Sequence, residues 1–83
     1  MNTYVAFLRG INVGGHKKVP MLELRNLFTN HGYKHVKTYI QSGNVIFQTL
    51  EANTAELRAH LEEVIASHFG FDVPVLITSW KKL

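Results

Sequence analysis

Apolar and polar residues alternate in blocks along the chain, and the blocks predict six elements. Residues 3–9, Thr3 to Arg9, carry Tyr4, Val5, Ala6, Phe7 and Leu8 in unbroken succession. A run without polar alternation is the mark of a strand covered on both faces, so this strand is expected near the sheet centre. Residues 10–18 break the pattern with Gly10, Gly14 and Gly15. Pro20 then suits the first turn of a helix, where a missing N–H is harmless. Met21, Leu24, Leu27 and Phe28 recur at helical spacing, and Gly32 is placed to end that helix in the left-handed conformation.

Residues 35–41 alternate, with Val36, Thr38 and Ile40 opposing Lys37 and Tyr39, which predicts a strand near a sheet margin. Ser42 and Gly43 form a turn signal, and residues 44–48 return through Val45, Ile46 and Phe47, closing a hairpin. Asn53 with Glu56 three positions on resembles a capping box opening a second helix. Its apolar stripe is Leu57, Leu61, Val64, Ile65 and Phe69, and Gly70 ends it. Residues 73–78 form a fourth strand. Pro74 cannot donate to a ladder, so this strand belongs at an edge.

The order β-α-β-β-α-β predicts an α+β, ferredoxin-like sandwich: an antiparallel four-stranded sheet of order 4-1-3-2 with both helices on one face. Two expectations follow from the topology. The connections at 10–19, 42–43 and 70–72 should meet at one end of the sheet, where a site is most easily built on loops held by a rigid scaffold. The face away from the helices should also be partly apolar whichever side it is, since Tyr4, Ala6 and Leu8 oppose Val5 and Phe7, Val45 and Phe47 oppose Ile46, and Val73, Val75 and Ile77 oppose Leu76, and monomers seldom leave such a patch uncovered. We therefore expect a second domain of the same protein, or a second copy, against that open face. Residues 1–79 read as one domain. Residues 80–83 look like the start of a truncated following segment, with Thr78 or Ser79 as a helix cap.

Composition narrows the chemistry. With no cysteine, disulfides, a thiolate nucleophile and a zinc–sulfur site are excluded. No run approaches the ~18 apolar residues of a membrane span, and no signal-peptide pattern opens the chain, so a soluble, cytoplasmic protein is expected. Residues 1–50 carry six Lys/Arg against one acid, whereas residues 51–83 carry three against five. That asymmetry favours an anionic partner for the first half, or simply a solvated basic face.

Two segments are recognisable. Tyr4-Val5-Ala6-Phe7-Leu8-Arg9-Gly10-Ile11-Asn12-Val13-Gly14-Gly15, followed by Lys18-Val19-Pro20-Met21 and Leu24, resembles the opening of the bacterial domain-of-unknown-function family DUF1697. Thr38-Tyr39-Ile40-Gln41-Ser42-Gly43-Asn44-Val45-Ile46-Phe47 resembles its second hallmark. The resemblance spans essentially the whole chain. It implies a ferredoxin-like α+β fold and, since members are typically about twice this length, the N-terminal domain of a larger protein. It implies no activity and carries over no catalytic residue.

The candidate ligand site is the glycine-rich edge. Arg9, Asn12, Gly14, Gly15, His16, Lys17 and Lys18, with Gln41, Ser42 and Asn44 across the hairpin, offer backbone N–H groups and cations to a small anion beside a helix N-terminus. The glycine spacing fits neither a P-loop nor a dinucleotide fingerprint. The bland alternatives are that the glycines only shape the connection and that Gln41 and Asn44 fasten the hairpin to the loop. Ser42, His16 and Asp72 suggest a triad by position only, with no nucleophile elbow around the serine.

The five histidines lack ligand spacing and read as exposed, so no metal and no cofactor is expected. Single-stranded nucleic acid on the sheet face is a weaker alternative: Tyr4, Phe7 and Phe47 are available, but the third strand has one aromatic where RNA-recognition domains have two. The preferred expectation is a non-catalytic ligand-binding or interaction module. Half of an enzyme completed by a C-terminal domain comes last.

Overall fold

A computed structural model describes residues 1–39 and 43–80 of the chain. The elements run β1 (Asn2–Leu8), α1 (Met21–Asn30), β2 (Lys34–Tyr39), β3 (Asn44–Thr49), α2 (Thr54–Phe69) and β4 (Val75–Ser79). The strands form one antiparallel sheet of order β2-β3-β1-β4, as the element order predicts.

Alternation in β1 and β3 assigns the two faces. Tyr4, Ala6, Leu8, Val45, Phe47 and Val75 point to the helices and join Leu24, Phe28, Leu57, Leu61 and Ile65 in one buried core. The rings of Tyr4, Phe28 and Tyr33 surround Phe47, with centroids 5.2–6.0 Å away. Val5 is also buried, but it lies outside that cluster, on the opposite face.

Both helices end as the glycines dictate. At the end of α1, Tyr33 N–H donates to Phe28 C=O and Gly32 N–H to Thr29 C=O, with Gly32 at φ +92°. This Schellman pairing needs a left-handed residue, which glycine supplies without a Cβ penalty. Gly70 closes α2 at φ +83°. The starts differ from expectation. Pro20 is the N-cap of α1, not part of its first turn; its extended ψ of 132° keeps it outside the helix, and it has no side-chain oxygen to offer. At α2, Asn53 accepts from Ala55 and Glu56 N–H, but the return bond to Asn53 N–H comes from Glu51 Oε1 at 3.1 Å and not from Glu56.

Other boundaries also shift. β1 stops at Leu8: Arg9 N–H still donates to Pro74 C=O in the β1–β4 register, but Pro74 has no N–H to return the bond. β2 carries a bulge between Lys34 and Lys37, where His35 sits at φ +51°. An inserted residue of this kind is invisible to a simple alternation count. β4 starts two residues later than expected and runs on through Thr78 and Ser79, and Trp80 N–H still donates to Thr3 C=O. Thr78 and Ser79 are therefore strand residues, and the helix expected to start after them falls on residues 81–83, which lie outside the described residues. Among the described residues no helix is long and apolar enough to cross a membrane.

Tyr33 couples the two helices. Its hydroxyl lies 2.6 Å from His60 Nδ1. Burial, and after it the negative charge of Glu51, raises its pKa above the ordinary tyrosine value. A group whose pKa is higher folded than unfolded stabilises the fold in full below the unfolded value, and that contribution disappears as pH rises through the folded one. Stability should therefore fall above about pH 10, the ordinary tyrosine pKa. Tyr33→Phe keeps the ring, removes the Tyr33 part of that alkaline fall, and should cost about 1 kcal/mol at neutral pH for the lost hydrogen bond. Thermal melts of both proteins across the alkaline range check this.

Candidate functional site

The glycine-rich connection between β1 and α1 is anchored by two buried residues, Ile11 and Val19, with everything between them more exposed. Gly14 and Gly15 lie at φ +58° and +78°, and His16 N–H donates to Val13 C=O at 3.0 Å. Two consecutive positive φ values make a type I′ turn, the tight reversal that glycine pairs favour. Asn12 N–H donates to Lys17 C=O, so residues 12–17 form a small hairpin projecting from the sheet end.

The polar side chains of this hairpin are largely engaged with the protein's own backbone. Asn12 Oδ1 accepts from Val19 N–H at 2.8 Å, and its Nδ2 donates to Val19 C=O at 3.0 Å. The amide thus imitates one rung of a β-ladder and fixes where α1 begins. Lys17 Nζ donates to Asp72 C=O at 2.8 Å, tying the hairpin to the α2–β4 connection. Asn12→Ala removes both bonds to a buried segment and leaves alanine at φ +57°. It should lower stability by about 2 kcal/mol, read as a shift in urea midpoint.

The three connections do meet at one end of the sheet. Leu8 N–H donates to Gly43 C=O, Arg9 N–H to Pro74 C=O, and Lys17 reaches Asp72. Beside them a shallow hollow of about 420 Å³ opens between the hairpin and the start of α1, lined by Asn12, Gly15, Lys18, Val19, Pro20 and Met21. Asn12, Gly15 and Lys18 thus share one hollow, while Arg9, Gly14, His16 and Lys17 do not line it. Asn44 is elsewhere. It stands opposite Phe7 and Tyr39 on the open face, and the fastening expected of its side chain is made by the backbone pair Leu8–Gly43 instead. Gln41 and Ser42 lie outside the described residues.

The open face is the second candidate surface. The register sets Leu76, Phe7, Asn44 and Tyr39 in one row and Thr78, Val5, Ile46 and Lys37 in the next. Trp80 continues the β4 alternation on the same side. Leu76 is 53% exposed, and Tyr39 and Trp80 are each 49% exposed. None of these positions is acidic. Tyr4 and Phe47, expected to be available on the sheet, face the helices and are buried, leaving Phe7 of the three.

Two contacts lie beyond what spacing reveals. His68 Nε2 is 2.7 Å from Glu23 Oε2, and His60 meets Tyr33, so these exposed histidines bridge residues from the α1 region to α2. Partners 45 and 27 residues apart leave no local signal in the sequence.

Comparison with known proteins agrees with this architecture. The conserved bacterial protein SP0830 from Streptococcus pneumoniae superposes with a TM-score of 0.83 at 41% sequence identity, over 94% of this chain. The chain spans 43% of the length of that protein. No curated protein matches the sequence. The model of the family "Protein of unknown function (DUF1697)" matches residues 1–83. With its whole length matched, the chain belongs to the DUF1697 family.

Proposed function

We propose that this unit is a non-catalytic interaction module that docks through its open sheet face onto a further polypeptide domain. The observation that carries this reading is the face itself. Val5, Phe7, Ile46, Leu76, Tyr39 and Trp80 make an apolar, aromatic surface with no carboxylate, opposite the face that the helices cover. Contiguous apolar surface of this kind marks interaction sites. The S. pneumoniae relative supports it, because more than half of that chain lies beyond the region matched here. A polypeptide fits the surface better than single-stranded nucleic acid, which stacks on aromatics of the first and third strands. Here β1 presents Phe7 and β3 presents Asn44, Ile46 and Gln48.

The anion reading of the glycine-rich loop has less support, since the Asn12 amide and the Lys17 ammonium serve the fold. It would rest on Lys18 and the helix end.

The test is to titrate the isotope-labelled chain with the remaining polypeptide of the S. pneumoniae relative. Amide shifts are expected at Val5, Phe7, Ile46 and Leu76, together with a blue shift of Trp80 emission. Phe7→Asp should weaken the complex at least about tenfold, because a charge placed in the centre of an apolar contact is desolvated without a partner. Unmoved sheet-face amides would sink the proposal. So would an oligonucleotide that produces the same shifts with steep salt dependence.

A further inference from the structure

The open face is sorted by charge, and a bulge does the sorting. In a regular strand, residues three apart point to opposite faces. Lys34 and Lys37 do not: Lys34 stands opposite Gln48 and Lys37 opposite Ile46, both on the open face. The extra residue lies between them, where His35 takes φ +51°. Bulges re-aim side chains in this way, and this one aligns two exposed lysines along one flank of the face. Lysines that merely discourage edge pairing need no common face. From that flank across to β4, the strands β3, β1 and β4 carry no charged residue. None of the six Asp and Glu side chains falls in a strand at all.

The dimensions of this surface match a helix. Its uncharged part is three strands wide, two spacings or about 10 Å, and a helix with its side chains is about 10–12 Å across. Lys34 and Lys37 oppose β3 positions two residues apart, about 7 Å along the strands. Carboxylates at i and i+4 of a helix are separated by a rise of about 6 Å. A helix laid along the strands thus rests its apolar side on Val5, Phe7, Ile46 and Leu76 while one flank holds two carboxylates over the lysines. A second copy of this chain does not meet that requirement. Its own open strands have no carboxylate, and its helices keep their apolar sides in their own core.

We propose that the occupant of the open face is an amphipathic helix of the partner polypeptide, with carboxylates at i and i+4 along the flank over Lys34 and Lys37. The inference rests on the docking reading given above and adds the partner's chemistry. The lysines are at the rim, so they contribute orientation and rate of encounter, and the apolar columns contribute most of the affinity.

The test uses the same titration with the remaining polypeptide of the S. pneumoniae relative. Lys34→Glu/Lys37→Glu changes two exposed side chains, should keep the native circular dichroism, and should weaken the complex at least about tenfold, because like charges are then brought together. Arg25→Glu/Arg58→Glu makes the same change in net charge on the helices and should leave binding unchanged. Raising salt from about 50 to about 500 mM should weaken the wild-type complex and not that of the lysine variant. Isotope-filtered NOEs from Phe7 and Leu76 should reach partner residues spaced three and four apart. A lysine variant that binds like the wild type with the same salt dependence overturns the acidic helix and leaves the docking reading standing. NOEs to alternate partner residues do the same, since they mean a packed strand. Sheet-face amides that never move overturn both. So does an oligonucleotide bound in a lysine- and salt-dependent manner, because phosphates are then the partners of the lysines.

Discussion

Replacing Phe47 by alanine is expected to lower the unfolding free energy by about 3–5 kcal/mol. Phe47 is fully buried at the centre of the core, where Tyr4, Phe28 and Tyr33 pack around it. Truncation removes its transfer free energy and the edge-on ring contacts, and it leaves a cavity that the sheet backbone cannot close. A chain of this size has roughly 4–12 kcal/mol of stability in total. The loss is therefore a large share of what exists, and partial unfolding at physiological temperature is the expected phenotype. Urea denaturation followed by circular dichroism reads it directly. A loss below about 1 kcal/mol would mean that the core is not organised around this ring.

Gly43→Ala is expected to cost about 2–4 kcal/mol, although it adds a single methyl group. Gly43 sits at φ +81°, where an L side chain is strained. A Cβ there would lie 2.7 Å from Ile11 Cδ1 and 3.0 Å from Leu8 C=O. Ile11 is buried, and the Leu8 carbonyl is backbone at the end of β1, so neither yields cheaply. Ile11→Val removes the Cδ1 atom and should recover part of the loss in the double variant. Residues in contact couple in this way, whereas distant ones add. Purely additive costs would show that backbone strain, and not the contact with Ile11, sets the penalty.

Gly43 also shows how much of this protein is legible one residue at a time. The sequence marks it as a turn residue beside Ser42, which is correct as local chemistry. That its Cβ position is occupied by Ile11, 32 residues earlier, follows only once the hairpin packs on the first loop. The candidate site divides in the same way. Its location at one end of the sheet follows from the order of elements, because an antiparallel β-α-β-β-α-β chain must bring those connections together. The employment of its side chains does not. Asn12 and Lys17 read as ligand groups when taken as a motif, and the fold uses them as backbone clamps on Val19 and Asp72. The β2 bulge, the return bond from Glu51 to Asn53 and the strand character of Ser79 escaped a periodicity reading for a related reason. Each depends on which backbone groups find partners in neighbouring elements, and alternation carries no information about that.

By itself, the sequence determined the family, the six elements, their order in the sheet, the edge position of β4 and the apolar character of the sheet's second face. These rest on short-range physics: period-two and period-3.6 burial, glycine at positive φ, and the missing proline donor. Only the tertiary structure decided which aromatics are core and which are surface. Tyr4 and Phe47 turn toward the helices while Phe7, Tyr39 and Trp80 do not, because strand register and helix placement together choose the face. It also decided that Lys34 and Lys37 share one flank of that face, since a face exists only after strands have paired.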